Sequence, residues 1–177
     1  IPTMTDIDKT YTFILKLYLA TVEEPIFIKL RKKEKERFNS NLSMCGQDGA
    51  SSAAFFVCDT IDGKCVAVNM AHIQAVNILW EPTTSYEDLM HYDGPIKIII
   101  KNRNEVMESY TDNPDELHEF YTILDLGPDV AGTFAGFTDM DGELLQLNMH
   151  ELVYIEAPSS LTDEGWRMIK ERDDMEG

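Results

Sequence analysis

The sequence predicts a mainly β, α+β chain in which one small β unit occurs twice, with a helix at each end. Three observations predict it. First, a segment recurs: DGKCVAVNMAHIQAVNIL (Asp62 to Leu79) and DGELLQLNMHELVYIEAP (Asp141 to Pro158) carry Asp-Gly and Asn-Met at a common offset of 79. Second, short apolar runs bounded by Gly, Pro, Asn and Asp fill most of the chain, which is the composition of strands and turns. Third, helical spacing is clearest at the two ends.

Ile7, Tyr11, Ile14, Tyr18 and Val22 recur every three to four residues, so a helix is expected over 5–24, capped by Thr5 or Asp6 and ended by Pro25. PIFIKLRK alternates as a strand, 39–52 is polar and reads as loop, and AAFFVCDT returns to strand composition. Asp62-Gly63 is a hairpin turn signal. KCVAVNM and HIQAVNILW follow as strands. Residues 82–95 have proline at both ends and read as a linker, with a short acidic helix starting at Ser85. The pattern then restarts. PIKIIIKN repeats the composition of PIFIKLRK, 102–120 is a polar excursion, and FYTILDL reads as a strand. AGTFAGFTDMDG matches AAFFVCDTIDG with Phe134 on Phe55, and LLQLNMHELVYIE closes the unit. A terminal helix is expected from a cap at Thr162 or Asp163, anchored by Trp166 and Ile169.

Apolar character matches at Val66/Leu145, Val68/Leu147, Ile73/Leu152 and Val76/Ile155, so the expectation is a duplication. PIFIKLRK and PIKIIIKN lie 70 apart, which gives the second copy about nine extra residues before its hairpin. The division that follows is 1–82 for the N-terminal helix and first repeat, 83–94 for the linker, and 95–177 for the second repeat and C-terminal helix.

V-N-M-A-H-I (68–73) and L-N-M-H-E-L (147–152) place a hydrophobic residue, two special positions, two turn residues and another hydrophobic residue in a row. That order, with the LVYI ending at 152–155, resembles the second motif of the Sm/LSm family. The resemblance implies two tandem small Sm-like β-barrel repeats, each closed by the recurring hairpin. It also implies open edge strands that pair with neighbouring barrels, and hence a homo-oligomer. Asn69-Met70 and Asn148-Met149 stand where the family has Arg-Gly, so the arginine that packs on an RNA base is missing from both copies.

The formal net charge is −17, which opposes binding to nucleic acid or anionic membrane. Against that background KLRKKEKERF holds six of the 15 basic residues: Lys29, Arg31, Lys32, Lys33, Lys35 and Arg37. It reads as a solvated strand end and loop, or as a patch for phosphate or an acidic partner. No signal-peptide or membrane-spanning run is present in the sequence, and three cysteines form no even set, so a cytoplasmic protein without a disulfide scaffold is expected. Cys58 and Cys65 flank the first hairpin and could face each other.

Asn69 and Asn148 are the candidate ligand contacts, with His72 and His150 beside them in the turns; each asparagine could equally cap its own turn. Asp139-Met-Asp141-Gly142 starts like a calcium loop but lacks the later ligands, and reads as a hairpin turn. His150-Glu151 opens a zinc-protease pattern that Tyr154 breaks. No metal site, cofactor motif, phosphate loop or catalytic triad is expected. The functional expectation is a non-enzymatic, oligomerising binding module whose ligand, a small molecule rather than RNA, sits at barrel edges or subunit clefts. The alternatives are an acidic protein that blocks a basic, nucleic-acid-binding partner, as mobile-element inhibitors do, and an enzyme of unrecognised type.

Overall fold

The computed structural model describes residues 11–45, 54–82 and 91–176. Ten strands run in chain order: β1 (Tyr11–Leu19), β2 (Ile26–Leu30), β3 (Phe55–Asp59), β4 (Lys64–Asn69), β5 (Ile73–Pro82), β6 (Ile96–Ile100), β7 (Met107–Ser109), β8 (Phe134–Thr138), β9 (Leu144–Asn148) and β10 (Leu152–Pro158). Helix α1 (Lys32–Met44) lies between β2 and β3. Helices α2 (Pro114–Leu126) and α3 (Pro128–Ala131) lie between β7 and β8, and α4 (Ser159–Glu176) follows β10.

The duplication is real in three dimensions. Each copy runs β-β-α-β-β-β. In the first, β1 pairs with β2 and β5, and β3 with β4; in the second, β6 pairs with β7 and β10, and β8 with β9. The hairpin registers coincide at the offset of 79: Phe55 faces Asn69 as Phe134 faces Asn148. So do the turn bonds. Gly63 N–H donates to Thr60 O at 3.3 Å and Gly142 N–H to Asp139 O at 3.1 Å. Both glycines have positive φ, 87° and 81°, the conformation the tight turn requires and the reason Asp-Gly marks it. β5 and β10 even carry a register shift at the same point, between Ile73 and Ala75 and between Leu152 and Tyr154.

The predicted barrels are absent. Among the described residues the strands form three open sheets with four helices: β2-β1-β5, β3-β4-β10-β6-β7 and β8-β9. This mixed α/β architecture overturns both the Sm-like reading and the two-barrel fold. The hairpin strand β4 pairs with β10 of the other copy, Tyr154 facing Val68 through Pro158 facing Lys64, and closes no barrel within its own copy.

Four further expectations fail for identifiable reasons. Residues 11–19 form a strand, not part of a helix; 1–10 lie outside the described residues. Leu15, Leu17 and Leu19 are buried with period two, a pattern that overlapped the helical spacing of Tyr11, Ile14, Tyr18 and Val22. FYTILDL is the second half of α2, whose buried residues Leu117, Phe120, Tyr121 and Leu124 keep helical spacing; starting the segment at Phe120 hides Leu117. Lys32–Met44 is helical, so most of the basic run and the start of the supposed loop form α1, seated by the one fully buried side chain of that helix, Phe38. Strand β6 matches β1 and not β2. Ala20 N–H donates to His72 O at 3.0 Å and Lys101 N–H to Glu151 O at 2.8 Å, an offset of 81 in the donors against 79 in the acceptors, so the second copy has no nine-residue excess. The terminal helix forms as expected but starts earlier, at Ser159. The proposed linker helix from Ser85 falls in 83–90, outside the described residues.

Two apolar clusters flank the central sheet. One joins Phe55, Cys65 and Ala67 of the first copy to Ile96, Ile98, Leu117, Phe120, Phe137, Leu147 and Ile155 of the second. The other packs β1, β2 and Phe38 under Phe56, Cys58, Val66, Val68, Val153 and Tyr154. Cys58 and Cys65 therefore point to opposite faces, and all three cysteines are free. Among the described residues no helix is long and apolar enough to cross a membrane. Ile155→Ala, in the middle of β10, is expected to lower the unfolding free energy by about 2–5 kcal/mol in a urea titration, as removal of a fully buried aliphatic side chain does.

Candidate functional site

The turn asparagines do the same structural job in both copies. Asn69 Oδ1 accepts from Ala71 N–H at 3.0 Å and Asn148 Oδ1 accepts from His150 N–H at 2.9 Å. Asn69 does more. Its Nδ2 donates to Leu152 O at 2.8 Å and to Met149 O at 3.3 Å, bracing the turn of the first copy against that of the second. His72 Nε2 lies 2.8 Å from His150 O, on the same seam. Asn69 and His150 also line a cavity of about 250 Å³, together with Met70, Ala71 and Met149. The four residues singled out in the sequence are thus brought together, but Asn69 holds the twin segments to each other.

The basic run lies along β2 and α1. Lys32 pairs with Glu36 at 3.8 Å and Arg37 with Glu34 at 2.6 Å, while Lys35 and Arg37 each sit 4.6 Å from an aromatic centroid, Phe13 and Phe56. Much of its charge is engaged locally, and Arg37 also donates to Val57 O. The hairpin carboxylates are likewise held in their turns. Thr60 Oγ1 donates to Asp62 at 2.5 Å, and Asp139 Oδ1 accepts from the N–H groups of Asp141 and Glu143 at 2.9 Å each. Among the described residues no group of three or more His, Cys, Asp or Glu could hold a metal ion.

The larger opening is a cleft of about 500 Å³ that no motif announced. Its floor is Val57, Asp59 and Cys65 on β3 and β4. Its walls are His118, Tyr121, Thr122 and Asp125 on α2 and Thr162, Asp163 and Trp166 on α4, with Arg37 at the rim. The helices meet closely. A Cβ on Gly165 would lie 2.0 Å from Pro114 O and 2.9 Å from His118 Cβ, so only glycine permits this approach. It brings the Trp166 ring to 5.5 Å from the His118 ring.

Electrostatics sort the lining residues. Burial, with the nearby charge of Asp59, pushes the Cys65 thiol well above its ordinary range, so it stays protonated and unreactive. Burial does the same to Tyr121, whose hydroxyl donates to Cys65 O at 2.8 Å. Asp59 is raised by burial and then by the charge of Asp163 across the cleft. Sequence reasoning missed this site because its residues come from five separate elements that no short motif joins.

Comparison with known proteins gave no match: no family model, no curated protein and no solved structure is significantly similar to the chain.

Two outcomes are expected. Asn69→Ala leaves the carbonyls of Met149 and Leu152 without their donor and should cost about 1–3 kcal/mol in chemical denaturation, more than Asn148→Ala. Because the Asp59 carboxyl is raised in the fold, it binds its proton more tightly folded than unfolded, and its contribution to stability falls as pH rises from 3.8 through the folded value. Asp59→Asn should therefore raise the melting temperature at pH 7 and leave it nearly unchanged at pH 3, measured by scanning calorimetry.

Proposed function

We propose that the chain is a non-enzymatic binding module whose α2–α4 cleft takes a small organic cation, an aliphatic amine or guanidinium. The observation that carries this reading is a cleft lined by both Asp59 and Asp163, in which burial first and then the charge of Asp163 raise the Asp59 carboxyl. A cation placed between them relieves that repulsion, and the exposed indole of Trp166 offers a π face beside it. The volume is in the range of small-ligand sites, about 300–1,000 Å³. The protonated state of Cys65 and Tyr121 supports binding over nucleophilic chemistry. The ligand site moves accordingly from the turn asparagines to the cleft.

Isothermal titration with 1,4-diaminobutane and with arginine amide tests it, with succinate as the anionic control. Saturable binding of the cations is expected. It should weaken at least tenfold in Asp59→Asn and should weaken as pH falls and Asp59 takes up its proton. No heat with either cation at millimolar concentration, or binding indifferent to Asp59→Asn, sinks the reading.

A second reading is favoured by the outer face of α4, where Arg167 is bound by Glu164 and Glu171, and Arg172 lies 3.8 Å from Asp115 and from Glu119. Most of the remaining surface charge is negative, which suits an acidic protein that blocks a basic partner. Salt separates the two: capture of a basic protein should collapse between low and high salt, while binding in the cleft should change less.

A further inference from the structure

The two copies share a strand pattern but not their exposure, and the difference is large along one pair of edges. In the first copy, the outer edge of β4 is covered by β10. The matching edges, those of β9 and β5, have no partner strand among the described residues. Burial follows the same division. Along β4 and β10 nearly every residue is buried, whereas β5 is exposed almost throughout and β9 at two of its five residues. Matched positions make it sharp. Cys65 is 6% exposed and its counterpart Leu144 63%; Ala157 is 0% exposed and its counterpart Ile78 36%. Large apolar side chains thus stand in water at the positions the internal junction covers elsewhere.

We propose that β9 of one molecule pairs antiparallel with β5 of a second copy of this chain, reproducing the internal β4–β10 junction between molecules. The offset of 79 fixes the register. Tyr154 facing Val68 becomes Ala75 facing Leu147, Ile155 facing Ala67 becomes Val76 facing Gln146, and Ala157 facing Cys65 becomes Ile78 facing Leu144. The exposed Ile78 and Leu144 thereby cover each other. The ion pair of the internal junction, Lys64 to Glu156 at 3.2 Å, is replaced by Glu143 and Asn77, an acceptor and a donor.

The geometry also sets the type of assembly. A two-fold relation between the copies would form both junctions within one chain. Only one is formed, so the relation is not a two-fold, and repeating it links molecules head to tail. Each chain offers one donor edge and one acceptor edge, and the assembly is a closed ring if the rotation closes and a filament if it does not. Unpaired ladder groups and an apolar rim drive the contact together.

Sedimentation velocity and native mass spectrometry across protein concentration test this on the wild-type chain, Ile78→Lys and Leu144→Lys. Both substitutions are at exposed positions, and circular dichroism should confirm that the fold survives. Wild type is expected to form multimers, and each variant alone to lose at least tenfold in association. Mixed together, the two variants retain one intact β5 and one intact β9 and should form a heterodimer that grows no further. Ile78→Lys combined with Leu144→Glu in one chain should recover the multimer through opposite charges in register. A wild type that stays monomeric at about 100 µM, well above a micromolar Kd, overturns the proposal. So does a multimer insensitive to both lysines, or a mixture of variants that stays monomeric.

Discussion

Everything in this structure depends on one strand pairing, β4 with β10. It is the only ladder that crosses from one copy to the other among the described strands, and both apolar clusters lie against the sheet it completes. Five residues on each side are in register, and the ion pair Lys64–Glu156 and the amide of Asn69 bind its two ends. Each copy alone has a three-stranded sheet and a hairpin, too little apolar area on either to form a closed core. Joined, they bury Val66, Ala67, Val68, Ile155 and Ala157 completely.

Duplication explains why the hairpin is so regular and yet so differently buried. Both copies retain the turn bonds, the capping asparagine and the register shift in the fifth strand, because those are local and depend on Asp-Gly, Asn-Met and the apolar residues around them. What differs is decided by neighbours. Cys65 and Ala157 are small where strands meet tightly; Leu144 and Ile78 are larger where no partner strand stands among the described residues.

The repeat was legible in the sequence because a hairpin turn needs particular residues at particular places. Asp62-Gly63 and Asp141-Gly142 could be read directly, as could the strands that follow them. The architecture was not legible, because hydrophobic alternation says which face of a strand is buried and nothing about which strand lies beside it. LVYI ends a small barrel and the middle of an open sheet equally well. Residues 11–19 satisfied two periods at once, and only the pairing with β2 and β5 decides between them. Asn69 and His150 were found for a sound reason, their equivalent places in the twin turns, but the sequence could not show that the turns would touch.

The cleft is a product of the same pairing. Its floor, Asp59 and Cys65, belongs to the first copy, and its walls, His118, Asp125, Asp163 and Trp166, belong to the second. Helix α4 starts at Ser159, directly after β10 ends at Pro158, so laying β10 on β4 also lays α4 beside the β3–β4 hairpin. Cys65 shows the coupling in one residue: its backbone pairs with Ala157, its carbonyl takes the Tyr121 hydroxyl, and its side chain lines the cleft. β5, the counterpart of β10, is still strand at 80–82, the positions at which α4 has already begun after β10. The pairing that builds the cleft uses one edge of each copy and leaves the equivalent edges, those of β9 and β5, without a partner strand among the described residues.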